Sequence, residues 1–335
     1  MNKKTIVQNI LKTLIIPVAI YLIMFICSGG RFGGSASMLL MLRQSAIPLL
    51  IAMAIGFNMM MGMWDFSAGA VVYAGVLIGC KLAEITGTGV AGMAMFCILV
   101  AIGLSTLTGL LYRLIKIPIV VLTIGTTILY EGLPKIFGIT NIKIASSDTI
   151  LAMAPWCFII LIAGGITFHI MYYKTSFGNN VMAIGSDQQI ARNAGINVEK
   201  TKFLSFVWSG VLLGIASVLY ISNVTSLVPV SGFASSTLVF DAMMGCFIAF
   251  FLMRYCNFTI GIVVGIISMQ MLMFGLLSMG LGSTMRIVVQ GIFLLVLLIF
   301  SSNQSRIEDS RNRKRLMVEA NRKYQLMQKA KTVDS

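Results

Sequence analysis

Residues 176–202, SFGNNVMAIGSDQQIARNAGINVEKTK, form the longest polar run before the C-terminal tail, and an apolar segment flanks them on each side. Hydrocarbon offers no partner for these amides and charges, so the run belongs in water, held between two membrane segments. Within it DQQIARNAGI predicts a helix of about two turns ended by Gly195, with Ile190 and Ala194 on one face and Gln188, Arg192 and Asn193 available outside. A short amphipathic helix strung between two spans is built to dock against a soluble partner.

Composition extends this reading to the whole chain. Of 335 residues, 58% are hydrophobic and 11% charged, against about 25% charged in soluble domains. Apolar runs stand at about 13–27, 44–63, 67–84, 89–112, 117–140, 152–173, 203–222, 236–253, 258–280 and 284–302. The expected fold is therefore an all-α integral membrane protein of about ten transmembrane helices. Residues 1–302 form one transmembrane domain carrying the loop 176–202, and residues 303–335 form a basic tail. Lys3, Lys4 and Lys12 before the first run resemble a signal peptide, but its length and the lack of a clear cleavage site predict an uncleaved first span.

The net charge of +14 sits mostly in loops and tail, which is a pattern of topology and not of nucleic-acid binding. With the N-terminus inside, the inner set is Lys3, Lys4, Lys12, Arg113, Lys116, Lys174, Arg192, Lys200, Lys202, Arg254 and nine tail residues. The outer set is Arg31, Arg43, Lys81, Lys135, Lys143 and Arg286. Nineteen against six obeys the positive-inside rule and predicts that both termini and the 176–202 loop are cytoplasmic. The tail is expected to be a solvated end or a partly helical segment on anionic lipid.

The six cysteines make no CxxC pair and the 24 methionines accompany no His or Cys cluster; both read as packing residues, with no metal or cofactor expected. Glycines spaced along segments 4 and 9, with Gly125 and Gly291 in the segments that follow, suggest an inverted five-plus-five repeat. Lys81 and Glu84 are spaced to pair near a helix end. Glu131, Asp241 and Arg254 lie near predicted ends where they reach water, and His169 reads as a satisfied interface residue.

MMMGMWDFSAGA, residues 59–70, breaks the second apolar run with an ionisable Asp65 between glycines. Asp65 and Ser67 are residue types that cap a following helix. Two readings stand: a discontinuous helix at a translocation pathway, or a capped turn in water, which avoids the cost of about 3 kcal/mol for a charge at bilayer depth. Asn58, Thr123, Thr126 and Thr127 are placed by position to touch a solute.

GMWDFSAG, residues 62–69, resembles the "GGIDLSVG" element of ribose-type sugar permeases of bacterial ABC importers, with Gly62, Asp65, Ser67 and Gly69 matching in place. KIPIVVLTIGTTILYEGL (116–133) is similar to that family's "Pxfi.TLgt…rGl". GNNVMAIGSDQQIARNAGINVEK (178–200) is similar to "Gr.iyAiGgN..AArlsGInv", and VPVSGFASSTLVFDAM (228–243) to "P..G.gyeLdaIA". The likeness covers about residues 40–300. It departs where MGCFIAFFLMRYCNFTIG replaces a glycine-rich element, where Glu131 stands for a usual basic residue and where Trp64 replaces a small aliphatic. The resemblance implies a plasma-membrane permease subunit moving a small hydrophilic solute of the sugar class. It also implies three partners: an ABC ATPase, an extracytoplasmic solute-binding protein, and a second permease subunit, identical or different. Gly185, Asp187, Ala191, Arg192, Gly195 and Ile196 then belong to the element that couples to the ATPase. No Walker motif occurs in the chain, so ATP hydrolysis is expected on another polypeptide and no enzyme activity on this one. The competing class is a stand-alone ion-coupled carrier using Asp65.

Overall fold

The computed structural model describes residues 3–144 and 146–282, together with residues 284–285, 287–293, 295–296 and 299. The chain forms two units, Met1–Gly282 and Ser283–Ser335. In the second, residues 287–293 are helical. The rest of the expected tenth span and the tail 303–335 lie largely outside the described residues, and with that span the inverted-repeat comparison.

In the first unit the helices are α1 (Lys3–Cys27), α2 (Ser35–Gln44), α3 (Ala46–Met60), α4 (Ser67–Thr86), α5 (Gly89–Ile115) and α6 (Ile119–Ile136). They continue with α7 (Trp156–Tyr173), α8 (Ser176–Ser186), α9 (Gln188–Asn193), α10 (Val198–Val224), α11 (Ser236–Leu252) and α12 (Phe258–Ser278). Two short strands, β1 (Ile142–Lys143) and β2 (Ser226–Leu227), pair antiparallel, Ile142 opposite Leu227. Eight stretches among the described residues are long and apolar enough to cross a membrane, Ser35–Met60 counting as one. The eighth expected span, 236–253, is α11, whose 17 residues rise only roughly 26 Å, short of a hydrocarbon core of about 30 Å.

The centre of the unit is α3. All its residues from Ala46 to Met59 are buried, and it packs against α10, α11 and α7. The outermost helix is α1, with only 11% of its span window buried. An all-round apolar helix can be buried on every side, whereas α1 turns Ile15, Ile23 and Ile26 outward to lipid or to a partner chain.

Contacts sort the helix ends into two groups. At one end the last turn of α3 meets Gly185 of α8, Lys202 Nζ reaches the Tyr112 hydroxyl, Lys12 lies over the Tyr255 ring, and the Tyr173 hydroxyl accepts from Phe258 N. At the other end Arg43 donates to the Ala152 carbonyl, Ser226 donates to Asn141, and the end of α4 faces β1 across a cavity lined by Glu84, Asn141 and Lys143. These groups are here called the α8 end and the β end; Lys12 and Lys202 lie at the first, Arg43 and Lys143 at the second.

Between β2 and α11 the chain does not stay at the β end. Ser235 packs against Gly69, where even a Cβ would strike the Ser235 carbonyl. Three residues further along α4, the Val72 carbonyl accepts from Ser217, itself seven residues short of the end of α10. At 1.5 Å per residue the 228–235 stretch therefore descends roughly 15 Å from the β end of α10 before α11 starts. That descent explains why α11 is short.

Candidate functional site

The break between α3 and α4 is a built structure. Met63 N bonds to the Asn58 carbonyl at 2.9 Å and Gly62 N to the Met59 carbonyl at 3.0 Å, the six-to-one and five-to-two bonds that close a helix with a left-handed glycine. Gly62, at φ +74, supplies that conformation without steric cost. Asp65 follows, fully buried, as is Asn58. Asp65 Oδ1 accepts from Ser67 N at 2.9 Å and Ser67 Oγ at 2.6 Å, and Oδ2 accepts from Asn58 Nδ2 at 3.2 Å. The first turn of α4 is thus anchored by a side chain two residues ahead of it.

The network crosses to α10, where Ser205 donates to Asn58 Oδ1 at 2.5 Å and Ser209 to the Ala54 carbonyl at 2.5 Å. It also reaches α6, where Thr123 donates to the Trp64 carbonyl at 3.3 Å. Ser205 is seven residues into α10, so this carboxylate sits roughly 10 Å along that helix from its α8 end. A buried carboxylate is tolerated where its lone pairs are met. The carboxylate is thus enclosed by the chain, while Gly62 of the same break is exposed.

The descending stretch has its own buried carboxylate. Glu131, on α6 and 3% exposed, accepts from Phe233 N at 2.9 Å and Ser235 N at 2.8 Å. Glu131 was expected to reach water near a helix end. It is instead enclosed, because non-helical backbone at this depth has N–H groups that neither water nor a helix satisfies. Asp241 is half-buried, and its Oδ1 is buried with no hydrogen-bond partner among the described residues. Around the two breaks lie aromatic rings, Phe66 with Phe233 and Phe240 at 6.1 and 5.9 Å, and Trp64 with Phe247 at 5.5 Å.

The polar run 176–202 folds as two helices. Asp187 stands between them in extended conformation and caps α9, its Oδ1 accepting from Gln189 N and Ile190 N at 2.7 and 2.9 Å. Gly195, at φ +83, ends α9 by the same closure seen at Gly62, with Ile196 N bonded to the Ala191 carbonyl and Gly195 N to that of Arg192. The expected short helix ended by Gly195 is α9, and residues 176–186 before it form a separate helix, α8. Gly185 lies in the last turn of α8, and the buried residue of α9 is Ala191, while the expected face fails: Ile190 is 67% exposed and Ala194 is exposed too. Gly185 packs on the Met60 carbonyl so closely that any side chain would collide with it.

The model of the family described as branched-chain amino acid transport system / permease component matches residues 37–302. The chain belongs to that family. Among similar proteins are the autoinducer 2 import system permease proteins LsrC of Yersinia enterocolitica, 29% identical over 193 residues, and of Yersinia pestis, 28% identical over 193 residues. These alignments cover 54% of this chain in each case, and 52% and 54% of the relatives, so the chain spans about half the length of the curated relatives it matches. No solved structure matches.

In this permease the structure brings Asn58, Gly62, Asp65, Ser67, Gly69 and Thr123 together at the α3–α4 break, with Thr126 one turn on, donating to the Thr123 carbonyl at 3.2 Å. Asn58, Thr123, Thr126 and Thr127 are buried within the single chain. Gly185, Asp187, Ala191, Arg192, Gly195 and Ile196 cluster along α8 and α9. Sequence reasoning missed Ser205 and the Glu131 clamp. Lys81 and Glu84 do pair, at 2.9 Å, and His169 Nδ1 lies 3.1 Å from the Thr259 hydroxyl.

Proposed function

We propose that this permease is the membrane subunit of an ATP-driven ABC importer for a small hydrophilic solute of the sugar class. It works with a separate ATPase, an extracytoplasmic binding protein and a second permease subunit, and α8, α9 and both termini face the cytoplasm. The family match supports the transport role, and the basic asymmetry of nineteen to six supports the orientation. The motifs at 62–69 and 228–243 support the sugar class, and the relatives named for autoinducer 2 import support import as the direction.

The observation that carries the mechanism is the seat of α8 on α3. Gly185 abuts Met60, the last residue of α3, and Asp65 lies five residues on. In this reading a partner that moves α9 moves α8, and α8 bears directly on the helix whose end is the break. The solute path runs along the side where Ser231, Gly232 and Ala234 are exposed, since irregular backbone at depth occurs where it lines a cavity or meets protein. Trp64, Phe66 and Phe233 flank that side, and aromatic faces suit the apolar faces of sugar rings.

An ion-coupled carrier is the weaker reading, because both Asp65 oxygens are engaged by neighbours of the same chain. Co-expression with candidate ATPase and binding-protein subunits, followed by affinity purification and uptake in proteoliposomes, tests the proposal. ATP-dependent uptake of a bound sugar is expected. Uptake driven by an ion gradient without any ATPase subunit would overturn it.

A further inference from the structure

At the α8 end a cleft of about 170 Å³ lies between the end of α5, α9 and the start of α10. Its walls carry Arg113, Lys116, Arg192 and Lys202, with Glu199 as the acid among them. Lys202 is held in place, its Nζ 3.2 Å from Gln188 Oε1 and 5.8 Å above the Tyr112 ring. Arg113, Lys116 and Arg192 form no ion pair with any described residue. Four cations around one small concavity leave a net charge that a solvated surface would spread apart.

The cleft also has an apolar neighbour. On the last turns of α5 beside it, Leu110, Leu114 and Ile115 are 41, 66 and 50% exposed, and α5 is a long apolar span with 28% of its window buried. Acyl chains cover such a face in a bilayer, and the cleft opens where that face ends. A phosphate group is the anion that this combination takes, because guanidinium and ammonium donors engage its oxygens while attached chains continue down α5.

We propose that this cleft binds the phosphodiester headgroup of an anionic phospholipid, with its acyl chains along Leu110 and Leu114. The proposal rests on α5 and α10 being membrane spans and not on the transport reading, so the two fail separately. A lipid seated there touches α9 through Arg192, which makes the docking helix responsive to the charge of the leaflet.

The test uses the full-length chain purified in detergent and native mass spectrometry, with phosphatidylglycerol titrated against phosphatidylcholine of the same acyl chains. The wild type is expected to prefer phosphatidylglycerol by roughly tenfold or more, because each basic residue near an anionic headgroup adds to the attraction. Arg113→Gln with Lys116→Gln should abolish the preference. Lys135→Gln with Lys143→Gln, which removes the same charge from exposed residues at the β end, should keep it. Retention of the preference in the first pair overturns the proposal. So does displacement of the lipid by equimolar inorganic phosphate, which would assign the cleft to a free anion. Loss of ATPase-subunit co-purification in the first pair with lipid preference intact would assign it to a protein partner and overturn it as well.

Discussion

Asp65 accepts three hydrogen bonds on two oxygens, and none of its partners has solvent to turn to. Removing the acceptor leaves the Asn58 amide and the first N–H of α4 unmet, so Asp65→Ala should destabilise the protein by about 1–3 kcal/mol. Thermal unfolding in detergent reads this directly, and a wild-type melting profile would show that the carboxylate is incidental. Glu131→Gln changes shape little but turns one acceptor into a donor facing Phe233 N or Ser235 N. We expect a loss of about 1–3 kcal/mol there too, with protease sensitivity appearing at 228–235, and unchanged proteolysis would contradict the clamp. Asp65 was legible because Asp and Ser before an apolar run are cap signals in the sequence itself. Ser205 was not, since a serine in an apolar helix carries no periodic mark and its partner is 147 positions away. Glu131 was misread because hydropathy sees distance from a segment end, not the backbone that folds back from another part of the chain.

At the scale of elements, the proposed function treats α8 and α9 as a lever whose joints are Asp187 and Gly195. Gly185→Val should force α8 away from the Met60 carbonyl while leaving α9 and its exposed Ile190 able to dock. The expected phenotype is an assembled complex that hydrolyses ATP without uptake. Hydrolysis and uptake both at wild-type rates would remove the α8–α3 contact from the account. The sequence revealed that a short helix lies in 176–202 and that Gly195 ends it. It left residues 176–186 without an element, because a polar stretch carries no span signal, and α8 fills it. The short α11 shows the opposite failure: its apolar run is continuous in sequence, and only the depth of Ser235 against Gly69 reveals that its start lies away from the β end.

For the molecule as a whole, class and approximate spans followed from composition, because hydrocarbon solvent tolerates few alternatives to the helix. The contacts grouping helix ends agree with the alternation of spans, and the assignment of the α8 end to the cytoplasm is open to direct labelling. A single cysteine at Asp187, in a background without other exposed thiols, should resist an impermeant maleimide in intact cells and react in inverted vesicles; the reverse pattern would invert the topology. The central claim is that α9 passes ATPase motion to the break at Asp65 without choosing the solute. Arg192→Ala removes a charged contact from its exposed face, and Gly195→Val places a β-branched residue at φ +83. The measurement that tests the claim most directly is ATP hydrolysis and uptake by the reconstituted importer with its loaded binding protein. The account predicts that in both variants the binding protein still docks, hydrolysis no longer rises with solute and uptake falls at least tenfold, a loss of about 1.4 kcal/mol of coupling. Variants that keep solute-stimulated hydrolysis and instead carry a different solute would contradict it.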